Sequence, residues 1–161
     1  MSLSQTIAFA TLLCVTYFSI ASATYYRPSR PTYCSYEKPL PIQVTEEHIE
    51  ALNDCNVKRL VQLRTDDFIF YFPRGDVSKG RAGALTTFTN LCKPFPEGFR
   101  GLKLTIKEAF LVGNTYNVRW VISAPFFEDY HGADAYVTRG FKMAAQVTTF
   151  DSEELNFTRS A

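Results

Sequence analysis

Leu102-Lys103-Leu104-Thr105-Ile106-Lys107 and, beyond Gly113-Asn114, Tyr116-Asn117-Val118-Arg119-Trp120-Val121-Ile122 form the passage on which the reading of the fold turns. Successive side chains of a strand point to opposite faces, so the apolar–polar alternation of 102–107 buries one face and wets the other. Gly-Asn supplies residues that tolerate a tight turn, and 116–122 becomes the antiparallel return strand. Tyr116, Val118, Trp120 and Ile122 share one parity and face one side together. Lys103, Lys107 and Arg119 fall at positions suited to the outer face, in water or against another subunit.

Working outward toward the C-terminus, residues 135–138 and 142–150 read as a second hairpin around Arg139-Gly140. A loop containing Pro125 and Gly132 precedes it. Toward the N-terminus, residues 81–91 carry Leu85, Phe88 and Leu91 on one helical side before Pro94 ends the run. Asp67-Phe68-Ile69-Phe70-Tyr71-Phe72 is a β-rich strand stopped by Pro73, with Gly75, Asp76 and Gly80 marking a loop. Upstream, Asn56 can cap a helix over 57–64. Thr45 can cap an earlier helix, with Glu46 and Glu47 near the positive end of its dipole and Ile49, Leu52 and Cys55 at helical spacing. Helices first and an antiparallel sheet after them is an α+β plan.

The chain has 161 residues, 46% of them hydrophobic and 20% charged, which fits one domain with a packed core. Its 14 Phe, 9 Tyr and 1 Trp exceed what a minimal core needs, leaving aromatic surface to line a pocket. A formal charge of +1 gives no electrostatic footprint for nucleic acid, which is excluded as a partner. Residues 7–21 are an apolar run of signal-peptide length, and Ala21-Ser22-Ala23 is a small-x-small cleavage site. The expectation is a leader over 1–23, removal after Ala23, secretion to the extracellular space and no membrane partner afterwards. The alternative is an uncleaved anchor, because Met1-Ser2-Leu3-Ser4-Gln5-Thr6 carries no basic side chain.

Residues 24–44, with Pro28, Pro31, Pro39 and Pro41 among Tyr25, Tyr26, Tyr33 and Tyr36, read as an extended arm. The domain proper is expected over 45–155, and 156–161 form a tail in which Asn156-Phe157-Thr158 is an N-glycosylation sequon. Cys34, Cys55 and Cys92 remain once the leader is gone. In an oxidising compartment an odd number implies one disulfide and a spare thiol, and spacing does not choose the pair. The sequence carries no Cys-x-x-Cys, phosphate loop, Gly-x-Ser-x-Gly elbow, His-Glu-x-x-His or dinucleotide fingerprint, so neither a metal nor a cofactor is expected.

The order of these pieces resembles the cone-shaped fold of the nuclear-transport-factor-2-like superfamily, and within it SnoaL-like proteins. The residues carrying the likeness are Leu52-Asn53-Asp54 through Asp67-Phe68-Ile69-Phe70-Tyr71-Phe72-Pro73, Gly80 before the third helix, and Val118-Arg119-Trp120. Tyr136-Val137-Thr138-Arg139-Gly140 and Thr148-Thr149-Phe150-Asp151 with Leu155 complete them, and together they span about residues 46–155. The resemblance implies N-terminal helices packed into a strongly curved antiparallel sheet that leaves a conical pocket open at one end. It implies a hydrophobic small-molecule partner and, where chemistry occurs, cofactor-independent acid–base catalysis of isomerase, cyclase or hydrolase type. Fold does not fix function, so a non-enzymatic extracellular scaffold, matrix or effector protein is the competing reading, and a homodimer through the outer sheet face suits either.

Candidate groups follow. Phe68, Phe70, Phe72, Tyr116, Trp120 and Tyr136 are pocket-wall candidates, with simple core packing as the competing role. His131, in a loop between Asp129 and Asp134, could pair with a carboxylate as a proton carrier, or be an ordinary exposed histidine. Asp134 precedes a strand whose Tyr136 can point inward. Asp151 matches an acid–base position of some SnoaL-like cyclases but also reads as a helix cap, with Glu154 reaching back. His48 reads as solvent-facing, or as a partner to Glu47 or Asn53.

Overall fold

Pro41 enters the first turn of helix α1 (Leu40–Asn53) in the computed structural model, which describes residues 37–150. Proline costs nothing there, because the first N–H groups of a helix have no partner within it. The helix therefore begins ahead of Thr45. Thr45 is no cap but a fully buried side chain on the face that Val44, His48, Ile49 and Ala51 also turn inward. The extended arm expected to run to residue 44 thus gives way to helix from Leu40, and its earlier part lies outside the described residues.

A turn through Cys55, at φ 49°, leads into α2 (Val57–Gln62), whose Asn56 cap accepts the Arg59 N–H at 3.1 Å. The sequence reading carried this helix to 64. Arg64 instead opens β1 (Arg64–Tyr71), which turns Arg64, Phe68 and Phe70 inward. A short β2 (Val77–Lys79) pairs antiparallel with β1 where a loop was expected. Gly80, at φ +66°, then starts α3 (Gly80–Leu91). The rest is sheet: β3 (Lys103–Val112), β4 (Thr115–Ala124), β5 (Phe127–Arg139) and β6 (Lys142–Thr149).

The six strands follow the order β2-β1-β6-β5-β4-β3 in a curved, unclosed sheet. Neighbours run antiparallel except β1 and β6, which are parallel because β1 enters from the helical layer rather than through a hairpin. Irregularities at 106/108 in β3, 122/124 between β4 and β5, and 137/138 in β5 add the local bends that curvature requires. The α1 helix packs along β3, β4, β5 and β6, and α3 packs on β1.

The loop expected around Gly132 is a continuous strand. Residue 132 stands opposite Trp120 on β4, and a Cβ there would lie 2.2 Å from the indole ring. The glycine is the space in which the ring lies, not the mark of a turn.

Candidate functional site

The inward parity of β5 sets Asp134 and Tyr136 side by side, and the register brings Gln146 of β6 opposite Tyr136 and Thr148 opposite Asp134. Asp134 is 6% exposed and Tyr136 fully buried. The Tyr136 hydroxyl donates to Asp134 Oδ2 at 2.5 Å, and Gln146 Nε2 donates to the same oxygen at 3.2 Å while lying 3.4 Å from Thr148 Oγ1. Burial raises the Asp134 pKa; Tyr136 and then Trp120, Thr148 and Gln146 oppose the rise. The Trp120 indole N–H is near enough to be felt by the carboxylate without reaching hydrogen-bond geometry, so Trp120 Nε1 and Asp134 Oδ1 are left without bonds. Burial, and next the Asp134 charge, hold the Tyr136 pKa well above its usual value, so the phenol keeps its proton and serves as the donor.

A second polar group adjoins Tyr136. His48 from α1 meets the Tyr136 ring edge-on at 5.3 Å between centroids, and Arg64 Nη2 donates to His48 Nδ1 at 2.9 Å. Because arginine can only donate, that imidazole nitrogen is the acceptor and the ring is neutral. Burial, then the Arg64 charge, lowers the His48 pKa well below its usual value. Arg64 is completely enclosed, its guanidinium 4.9 Å from the centroids of both Phe68 and Phe88. Burial brings its pKa down to about 9, so it remains a cation at neutral pH.

Beside Trp120 there is open space. An apolar cavity of about 110 Å³ is lined by Leu91, Phe99, Leu102, Trp120, Ile122, Tyr130 and Phe150. A shallower groove of about 290 Å³ is lined by Phe72, Pro73, Arg74, Asp76 and again Phe150. Trp120 therefore faces the cavity while its N–H faces Asp134, and Phe150 borders both spaces.

These positions sort the residues singled out in the sequence. Asp134, Tyr136 and Trp120 come together. His131 does not: it lies on β5 opposite Val121, exposed, at the parity opposite to Asp134, so the expected pairing of His131 with Asp134 is not formed. Asp129 is exposed as well. Phe68 and Phe70 are core. Phe72 is half-buried, stacked on Phe70 at 4.2 Å, and reaches the groove; Tyr116 is half-buried against the core. Asp151, Asn156 and Cys34 lie outside the described residues, while Cys55 and Cys92 are free thiols. Lys103, Lys107 and Arg119 are exposed, and Arg119 Nη1 pairs with Glu108 at 3.0 Å.

His48 and Arg64 were missed. The solvent-facing reading of His48 fails because it shares the buried side of α1 with Thr45 and Ile49, at i−3 and i+1 from it. The signal available was the parity of Arg64 with Phe68 and Phe70 once the strand is started at 64. Among the described residues, no group of three or more His, Cys, Asp or Glu side chains gathers as a metal site, and no helix is long and apolar enough to cross a membrane.

This architecture recurs among solved structures. A candidate SnoaL-like polyketide cyclase from Shewanella denitrificans OS-217 is 16% identical, with a TM-score of 0.60 over 72% of this chain and 93% of that one. A candidate ketosteroid isomerase from Kribbella flavida DSM 17836 is 14% identical, with a TM-score of 0.59 over 69% and 77%. An NTF2-like protein of unknown function from Cytophaga hutchinsonii ATCC 33406 is 16% identical, with a TM-score of 0.58 over 70% and 91%. No curated protein matches the sequence significantly. At these identities the likeness concerns the fold alone. The sequence profile of the SnoaL-like domain matches residues 45–154, which takes in the inward faces of α1 and β1 and the whole polar row of β5 and β6. By that match, and by a curved sheet closing over the helices, the chain belongs to the SnoaL-like domain family.

Proposed function

We propose that this domain binds a small hydrophobic molecule against Trp120 and transforms it by acid–base chemistry at Asp134, without a cofactor, as an isomerase, cyclase or hydrolase. The carrying observation is a buried carboxyl with a raised pKa next to an apolar cavity, separated from it by one indole ring. A carboxyl so shifted exchanges protons more readily near neutrality than an exposed one. Asp134 Oδ1 is free to take or return a proton while Tyr136 and Gln146 hold Oδ2 and fix the orientation of the group. Arg64, a cation at neutral pH, acts electrostatically on the same tyrosine and lowers the cost of negative charge within the row.

A cavity of about 110 Å³ is well below the roughly 300 Å³ at which ligand pockets usually begin. The fitting occupant is a single ring or a short branched chain. A larger ligand requires Phe150, which borders both the cavity and the groove, to give way. The same tightness favours the second reading, a non-enzymatic extracellular protein with a filled interior.

Trp120 is the only tryptophan, so its fluorescence reports the cavity wall. Titration with one-ring and two-ring phenols and cyclic enones is expected to give saturable quenching and, for a substrate, turnover that Asp134→Asn abolishes. No saturable quenching, together with no molecule co-purifying from the native source, would sink the ligand reading and leave the scaffold. The leader over 1–23 and the glycan at Asn156 belong to the same proposal. An intact mass of exported protein lacking residues 1–23 and carrying a glycan is the expected result, and a retained leader overturns it.

A further inference from the structure

The segment 99–104 is tied to two places at once. On one side Leu104 exchanges a pair of hydrogen bonds with the Asn53 side chain, at 2.7 and 3.1 Å, and the Lys103 amine reaches the Asn53 carbonyl at 3.2 Å. On the other, the Phe99 N–H bonds to the Leu91 carbonyl at 2.7 Å and the Arg100 N–H to the Lys93 carbonyl at 3.0 Å, while Arg100 Nε bonds to the Cys92 carbonyl at 2.9 Å. The end of α1 and the end of α3 are thereby held against one short stretch of chain. Cys55 follows Asn53 in the turn after α1, and Cys92 is the C-terminal cap of α3.

We propose that Cys55 and Cys92 are an oxidisable pair that forms a disulfide stapling the α1–α2 turn to the end of α3. With the two helix ends gathered on that segment, the Cys55 thiol is near enough to act on Cys92, and after burial it is the next cause that pushes the Cys92 pKa up to about 12. Cys55 is partly exposed and Cys92 is 3% exposed, which orders the chemistry. The Cys55 thiolate attacks a small-molecule disulfide such as oxidised glutathione, forming a mixed disulfide and releasing one thiol. Cys92 then loses its proton, attacks Cys55 Sγ and expels the second thiol. Two electrons pass from the protein to the oxidant, one disulfide is exchanged for another, and two small thiols leave. The second step needs the buried thiol ionised, so closure accelerates with rising pH.

The bond would cross-link a loop long enough to restrict the unfolded chain considerably, with an expected rise in melting temperature of roughly 10 °C. The test uses the full chain, reduced and then equilibrated with oxidised glutathione, followed by non-reducing peptide mapping, free-thiol titration after unfolding and thermal melts. A peptide linking Cys55 to Cys92, the loss of two titratable thiols and a higher melting point are the expected results, all absent in Cys55→Ser. That variant sits at a partly exposed turn and leaves the core intact, so it keeps the test readable should Cys92→Ala fold poorly. Recovery of both cysteines as free thiols, or of either one bonded to Cys34, overturns the assignment.

Discussion

Around Arg64 and His48 the interior is charged and closed to solvent; around Trp120 and Phe150 it is apolar and borders a cavity. Asp134 and Tyr136 form the border. The closed end carries a cation that, among the described residues, has no carboxylate bonded to it; two rings flank it and it touches a neutral histidine. The hollow end carries no charge among its described lining residues. A buried cation unpaired by an acid gains little stability over a well-packed apolar side chain, whereas an empty apolar space forfeits packing outright. Neither end is what stability alone would select, and they flank the same carboxyl.

The largest expected effect tests the closed end. Arg64→Ala removes the group between Phe68 and Phe88 and leaves His48 Nδ1 without its donor, a loss of about 3–5 kcal/mol in denaturant unfolding. Arg64→Met refills the space without a buried charge and is expected to be at least as stable as the natural protein while losing turnover. Equal stability of the Ala and Met variants would mean that the site is not tightly packed.

Gly132→Ala addresses the hollow end. A methyl group 2.2 Å from the indole forces Trp120 to move, at about 1–3 kcal/mol, and the shift appears in the emission of the single tryptophan. Unchanged emission would place the ring elsewhere.

Smaller effects come from pH. The folded state binds the Asp134 proton more tightly than the unfolded chain does, so its contribution is complete below the ordinary carboxylate range. That contribution is lost as pH rises through the raised value. His48 acts in the opposite direction: folding keeps it neutral, so stability is lost as pH falls below the ordinary imidazole value toward the lowered one. Melting curves across this span should lose the first slope in Asp134→Asn and the second in His48→Gln. A profile unaltered by both variants would contradict the burial of the pair.

The smallest effect is expected on the outer face. Arg119→Ala breaks an ion pair whose side chains are 72% and 66% exposed, and melting should move by no more than about 1 °C.

What was legible in the sequence follows from periodicity. The β3–β4 alternation, the turn at Arg139-Gly140, the existence of α3 and the inward parity of Trp120 and Tyr136 are local patterns, and each appears in the structure. The apolar side read for α3 does not hold throughout, since Phe88 is buried with Ala84 while Leu85 is exposed. The passage 127–134 misled because Asp and Gly there read as loop, while the glycine was answering a tryptophan on the neighbouring strand. Pro41 misled in the same way, since its cost depends on whether N–H groups at that position would have had partners. Cys55 and Cys92 became a pair only when a hairpin's leading segment drew two helix ends together.

The sequence by itself determined the α+β plan, the inward faces of β1, β4 and the last hairpin, and through their order the family. Only the tertiary structure decided that His48 and Arg64 belong inside, that His131 belongs outside, and that Asp134 stands beside the cavity. Side-chain direction is a property of the local backbone, but burial, and with it every shifted pKa, depends on what the rest of the chain packs against it.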